Sequence, residues 1–153
     1  MPHETDPAQP LRVLFLCTGN SCRSQMGEGW ARSLLSVRVE AHSAGTKPQG
    51  LNPLAVRVMH EVGVDISRHE SKPLESLREI EFDYVITVCD SARESCPTFP
   101  AKVRLIHQSF DDPPRLAQNA RSDDEALPHY RRVRDEIREF VQRLPQFWQG
   151  VRS

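Results

Sequence analysis

The stretch Val13-Leu14-Phe15-Leu16-Cys17-Thr18-Gly19-Asn20-Ser21-Cys22-Arg23-Ser24-Gln25-Met26 decides how the rest of the chain is read. It opens with four apolar residues, the pattern of a short buried strand. A polar loop containing Gly19 follows, and then a helix with Met26, Trp30, Ala31 and Leu34 on one face. Between strand and helix, Cys17 and Arg23 stand in the spacing Cys-x5-Arg. In such a loop the backbone N–H groups of residues 18–24 turn inward at a helix N-terminus and form a nest for a tetrahedral oxyanion. Arg23 adds a planar fork that grips two oxygens and keeps its charge. The same field favours a thiolate at Cys17, so its pKa is expected near or below neutrality. Gly19 permits the tight turn. Asn20 tolerates a left-handed backbone and can brace the loop with its amide. Ser24 is placed to cap the helix or to donate to the thiolate. The bland alternative is an inert buried thiol at a strand end. The strand before and the amphipathic helix after weigh against it.

Outward from this loop, strands and helices alternate. Val37–Ala41 alternates in polarity and leads to Ser43-Ala44-Gly45. Asn52-Pro53 is a helix start, a capping residue followed by proline at the first helical position. That helix is expected to bury Ala55, Val56, Met59 and Val62 and to stop near Gly63. A short helix is expected around Leu74–Ile80. Strands follow at Asp83–Val88, ending at Cys89, and at Val103–Ile106. Phe110-Asp111-Asp112-Pro113-Pro114 is a loop by its prolines. The last helix covers roughly Asp123–Phe147, with Leu127, Tyr130, Val133, Ile137, Phe140, Val141 and Leu144 inward and Pro145 marking where it frays. The expected architecture is α/β, a three-layer sandwich around a four-stranded parallel sheet. In such sheets ligands bind beyond the carboxyl ends of the strands, where Cys17, Cys89 and Asp112 would all meet.

The 153 residues suit one domain, which at this size buries about two thirds of its unfolded surface and needs no disulfide to fold. We expect residues 11–150 to form a single catalytic domain, and the polar lead-in 1–10 to be a disordered extension. That lead-in lacks the basic start and apolar centre of a secretory signal. A net charge of −1 points to neither nucleic acid nor an anionic membrane. No stretch reaches the ~18 apolar residues of a membrane helix. A cytoplasmic monomer is expected. There, four cysteines (17, 22, 89 and 96) suggest redox chemistry, catalysis or a metal rather than structural bridges. Spacings of five and seven match no common zinc pattern, and the six histidines offer no metal spacing, so neither metal nor cofactor is expected. Without the Cys17 loop, Cys89 and Cys96 read more readily as one core and one surface thiol. His69 and His107 read as packed or surface histidines.

Taken together, segment 13–26 resembles the active-site loop of the thioredoxin-coupled arsenate reductases, which share the low-molecular-weight tyrosine phosphatase fold. The likeness continues through Ser43-Ala44-Gly45, Asn52-Pro53, Asp65-Ile66-Ser67, His69, Val85–Cys89, Cys96-Pro97, Phe110–Pro113 and Arg132–Ile137. The resemblance implies arsenate reduction in arsenic detoxification, with phosphate and sulfate as substrate analogues. It implies Cys17 as nucleophile, Arg23 as oxyanion ligand and Asp112 as general acid. Thr18, Gly19, Asn20, Ser21, Cys22, Arg23 and Ser24 would line the substrate. It also implies a relay in which Cys89 and then Cys96 take over the oxidation, with thioredoxin restoring the thiols. Cys22 is given no redox role.

Some members of that family hold potassium with residues matching Asn20, Glu28 and Ser43 and an aspartate. Lys72 stands at the aspartate's position, so its ammonium is expected to replace the cation and pair with Glu28. Three alternatives stay open: a tyrosine phosphatase, a non-catalytic oxyanion-binding module, and coupling to glutaredoxin or a small thiol. Pro114 and Arg115 stand where related phosphatases carry aromatics, and weak phosphatase activity is expected in any case.

Overall fold

The structure, a computed structural model, describes residues 9–94 and 96–148. All but two residues of the expected 1–10 extension lie outside that range. The strands are β1 (Leu11–Cys17), β2 (Val39–Gly45), β3 (Tyr84–Thr87) and β4 (Arg104–His107), all parallel, in the order β2-β1-β3-β4. The expected α/β architecture is therefore present. β1 lies inside the sheet with Val13–Leu16 fully buried, because a strand covered on both faces must be apolar throughout. β4 is an edge, and Leu105 on it is 61% exposed.

Six helices accompany the sheet among the described residues: α1 (Arg23–Leu34), α2 (Pro53–Glu61), α3 (Asp90–Glu94), α4 (Pro113–Leu116), α5 (Asp123–Arg143) and α6 (Pro145–Trp148). A 3-10 turn, Leu74–Leu77, stands where a short helix was expected. α1 and α5 pack together, tied by Trp30 Nε1 donating to the Arg134 carbonyl at 3.0 Å. α2 packs against both. The crossovers β1–α1–β2 and β3–α3–β4 move in opposite directions along the sheet. Right-handed connection then places α1 and α3 on opposite faces, giving the three layers.

Several boundaries differ from the sequence reading. β2 starts at Val39, and Val37 is 81% exposed in the preceding turn. On α1 the inward residue near the end is Leu35, while Leu34 is 39% exposed. On α2 it is Val58 rather than Val62 that is buried beside Ala55 and Met59, and Val56 is only half-buried. α5 ends at Arg143, and Pro145 begins α6 instead of fraying α5, because proline suits a first helical turn.

The carboxyl ends of the strands define one edge. Cys17 pairs in register with Gly45, and Thr87 with His107. A Cβ at position 45 would lie 2.6 Å from the Thr18 carbonyl oxygen, so only glycine lets the loop after Cys17 pass this close to β2.

Candidate active site

The loop from Cys17 to Arg23 is held by its carbonyls. Those of Cys17, Thr18, Gly19 and Ser21 accept from the N–H groups of Thr46, Lys47, Gln49 and Asn52 at 2.8–3.2 Å. With the carbonyls engaged on the outside, the loop N–H groups are left to face inward. Cys22 occupies the N-cap position of α1 but supplies no side-chain cap, and the first turn carries no acidic residue. The helix N-terminus therefore offers its N–H groups and its positive dipole end to an anion.

Asn20 is the keystone behind the loop. It adopts φ +47°, the left-handed region expected for it, and is fully buried. Its Oδ1 accepts from the Lys72 N–H at 2.9 Å and from Gln25 Nε2 at 3.1 Å. Its Nδ2 donates to Ser24 Oγ at 2.8 Å. Ser24 Oγ lies 2.8 Å from Cys17 Sγ, and once Cys17 is a thiolate, which can only accept, the Ser24 hydroxyl donates to it. The Asn20 N–H donates to the same sulfur at 3.3 Å. Ser24 thus serves the sulfur rather than capping α1.

The state of Cys17 departs from the sequence expectation. Burial pushes its thiol up from the ordinary value, against the hydrogen bonds from Ser24 and from the Ser24 and Asn20 backbone, which pull it down. The α1 dipole and the Arg23 charge act in the same direction as those bonds, toward the thiolate. Cys22 is held far above the usual thiol range by burial and by the Asp112 charge, so it stays protonated.

Arg23 and Asp112, 89 positions apart, come together at the mouth. Arg23 Nη1 donates to the Phe110 carbonyl at 2.8 Å, and Nη2 lies 3.7 Å from Asp112 Oδ1. Asp112 precedes α4 but does not cap it, leaving its carboxyl at the mouth. Its neighbour Asp111 instead pairs with Arg132 at 2.9 Å. Cys89 arrives from the end of β3. Its buried Sγ lies 3.6 Å from Thr18 Oγ1, within the weak hydrogen-bond range of sulfur.

A cavity of about 810 Å³ is lined by Cys17, Thr18, Gly19, Ser21, Cys22 and Arg23 from the loop. Cys89, Asp112, Pro114 and Arg115 complete its other side. The Asn20 and Ser24 side chains stand behind the loop, where Asn20 braces it as expected. Cys96 does not line the cavity; it is half-buried just beyond α3, and burial raises its thiol.

Sequence reasoning missed two residues that hold Asn20. Gln25 Nε2 donates to the Asn20 carbonyl at 3.1 Å and to the Glu70 carbonyl at 3.0 Å. His69 Nδ1 lies 3.0 Å from Gln25 Oε1. Burial lowers the His69 pKa, so the ring is neutral and donates through Nδ1. A glutamine inside an amphipathic helix carries no pattern that would have marked it.

Lys72 does not meet Glu28. Its Nζ donates to the Glu70 carbonyl at 3.0 Å, at the surface. Buried Glu28 is met by Arg32 Nε at 2.8 Å and Ser43 Oγ at 2.6 Å. Arg32 lies one turn along the same face of α1, the spacing at which side chains meet. A guanidinium on Glu28 and an amide N–H on Asn20 Oδ1 engage oxygens a potassium ion would need, so these residues do not fit that ion. Among the described residues no group of three or more His, Cys, Asp or Glu could hold a metal.

Residues 12–151 match the low molecular weight phosphotyrosine protein phosphatase family. An arsenate reductase of Bacillus subtilis (strain 168) is 47% identical over 125 residues, 82% of this chain and 88% of that protein. A solved arsenate reductase in its oxidized state superposes with a TM-score of 0.73 at 30% identity, covering 89% of this chain and 97% of that one. A thioredoxin-dependent arsenate reductase of Corynebacterium glutamicum superposes with a TM-score of 0.68 at 26% identity, covering 94% of this chain and 64% of that one.

Proposed function

Because the chain belongs to the low molecular weight phosphotyrosine protein phosphatase family, and its relatives at over 40% identity are arsenate reductases, we propose that it reduces arsenate to arsenite and is regenerated by thioredoxin. One observation carries the reading past the family's name: a second buried thiol, Cys89, lines the same cavity as Cys17. A phosphatase has no use for it, whereas a reductase needs a second sulfur to take up the oxidation.

Arsenate sits in the nest with Arg23 gripping two of its oxygens. The Cys17 thiolate attacks arsenic, and Asp112 protonates the departing oxygen, which leaves as water. The Cys89 thiolate then attacks Cys17 Sγ. The sulfur–arsenic bond breaks, its electron pair reduces As(V) to As(III), and arsenite leaves. A Cys17–Cys89 disulfide remains. Cys96 attacks Cys89, expelling Cys17 as thiolate and forming Cys89–Cys96. The thioredoxin dithiol reduces that bridge. Such cycling fits the reducing cytoplasm, where we place the protein; no helix among the described residues is long and apolar enough to cross a membrane.

The loop and Asp112 suit phosphate monoesters as well, which supports a weak phosphatase side activity. The cavity mouth carries Pro114 and Arg115 rather than an aromatic clamp, so aryl phosphates are the poorer substrates. Arsenate-dependent NADPH oxidation with thioredoxin and thioredoxin reductase tests the reading. Wild type should turn over, and Cys17→Ser, Cys89→Ser and Cys96→Ser should not. Normal turnover of Cys96→Ser would refute the relay. Phosphatase activity retained in Cys17→Ser would refute the nucleophile.

A further inference from the structure

The thiol relay places two demands on Cys89. It must hold its aim at Cys17, and it must then receive Cys96. Between the cysteines lies α3, Asp90–Glu94: Arg93 N–H donates to the Cys89 carbonyl at 3.2 Å, and Cys96 N–H reaches the Arg93 carbonyl at 3.5 Å. The five residues of α3 alone rise by ~7.5 Å along the helix axis. Two Cα atoms more than ~7 Å apart cannot be bridged without backbone movement. α3 must therefore give way before Cys89 and Cys96 can join, and one of its ends has to move.

The two ends are held very differently. At the Cys96 end, Arg93 and Glu94 are exposed and the last hydrogen bond is long. At the Cys89 end, a histidine ring straddles the cysteine. His107, the last residue of β4, is paired in register with Thr87. Its Nδ1 lies 2.7 Å from Thr87 Oγ1, and its Nε2 lies 3.0 Å from Asp90 Oδ1. Thr87 stands two residues before Cys89, and Asp90 stands immediately after it. Asp90 only accepts, so Nε2 carries the proton. In the neutral ring Nδ1 then accepts from the Thr87 hydroxyl, giving one directed chain from Thr87 through His107 to Asp90. A rigid planar ring bonded on both sides fixes the spacing of the residues that flank the sulfur.

We propose that His107 is a positioning residue for the relay: by tying Thr87 to Asp90 across Cys89, it makes Cys89 the fixed pivot toward which Cys96 is carried as α3 unwinds from its far end. This rests on the relay reading above. His107 and Thr87 do not line the cavity, whereas Asp90 stands at its wall. It keeps Cys89 aimed at Cys17 during the arsenite-releasing attack, then keeps it in place while Cys96 forms the new bond and Cys17 leaves.

The test is single-turnover arsenite release by the reduced full-length protein without thioredoxin, which reads the attack of Cys89 on Cys17. Affinity for inorganic phosphate, measured by calorimetry, reads the loop alone. His107→Ala and Asp90→Ala should slow arsenite release by about tenfold or more, the scale on which small misplacements act. In His107→Ala phosphate affinity should stay within about twofold, because the loop and Arg23 are untouched and His107 does not line the cavity. Asp90→Asn keeps the accepting oxygen and should release arsenite at close to the wild-type rate. Wild-type release in His107→Ala beside a blocked Cys89→Ser would overturn the clamp and leave the relay standing. Normal release in Cys89→Ser would overturn the relay itself. Asp90→Asn as slow as Asp90→Ala, or a parallel loss of phosphate affinity in His107→Ala, would also overturn the positioning role.

Discussion

The two sulfur-bearing segments that meet at the cavity are built on opposite plans. The segment from Cys17 to Arg23 follows a strand buried from Val13 onward, hangs four carbonyls on residues 46–52 and is pinned from behind by Asn20. The segment from Cys89 to Cys96 follows a four-residue strand, rests on a five-residue helix and neighbours an edge strand with exposed residues. The difference suits what each is proposed to do. An oxyanion nest stabilises charge only if its donors are fixed before the reaction begins. A relay thiol has to travel, and segments that move come from the weakly held part of a structure.

Arg23→Lys should give the largest effect on this contrast. Lysine keeps the charge but loses the planar fork and the bond to the Phe110 carbonyl, so kcat/KM for arsenate should fall by about 10²-fold or more. The attack of Cys96 on a preformed Cys17–Cys89 disulfide should be nearly unchanged. Stopped-flow measurement of both steps checks the separation. Equal losses in the two would mean that the segments are one mechanical unit.

Ser24→Ala probes the thiolate within the fixed segment. Burial already raises the Cys17 thiol, and the Ser24 hydroxyl opposes that rise. Removing the donor raises the pKa further, so the thiolate fraction falls at neutral pH and returns as pH increases. First-step activity should drop about tenfold near pH 7, with the rising limb of the pH–rate profile displaced to alkaline pH. A loss that is the same at every pH would mean that Ser24 acts only on the shape of the loop.

The contrast also decides what the sequence could reveal. The fixed segment was legible because its physics is local. An apolar run announces β1, Cys-x5-Arg announces the nest, and Asn20 in a tight loop announces a left-handed residue. The convergence of Cys89 and Asp112 on Cys17 was also legible, since parallel strands leave their carboxyl ends on one edge. What escaped depends on tertiary packing. Gln25 and His69 brace Asn20 through contacts 5 and 44 residues apart. Lys72 was assigned to Glu28 by position, but a side chain on the same helix, Arg32, reaches it first. The expected low pKa of Cys17 weighed the N–H groups and left out burial.

That Arg32 geometry makes a smaller prediction. With Glu28 already neutralised by a guanidinium, activity in sodium and potassium buffers should agree within about twofold, since no weakly bound cation is needed to hold a buried carboxylate. Lys72→Ala should change little, because its ammonium bonds a surface carbonyl. Arg32→Ala should lower the melting temperature and create a response to potassium. Strong potassium activation of the unmutated protein would show that the loop is not braced from within.

The last effect tests the helix between the relay thiols directly. Glu94 is exposed at the end of α3, so Glu94→Gly removes no buried contact and acts through helix propensity, at about 1 kcal/mol. If α3 must unwind before Cys96 can reach Cys89, weakening its free end should speed disulfide exchange by up to about fivefold and leave arsenate affinity unchanged. Hydrogen exchange over 89–97 should rise in the oxidised protein for the same reason, because a bridged pair cannot coexist with an intact α3. A glycine that leaves exchange unchanged or slows it would mean that α3 is not what separates the two thiols. The weakness of this segment would then need a cause other than the relay.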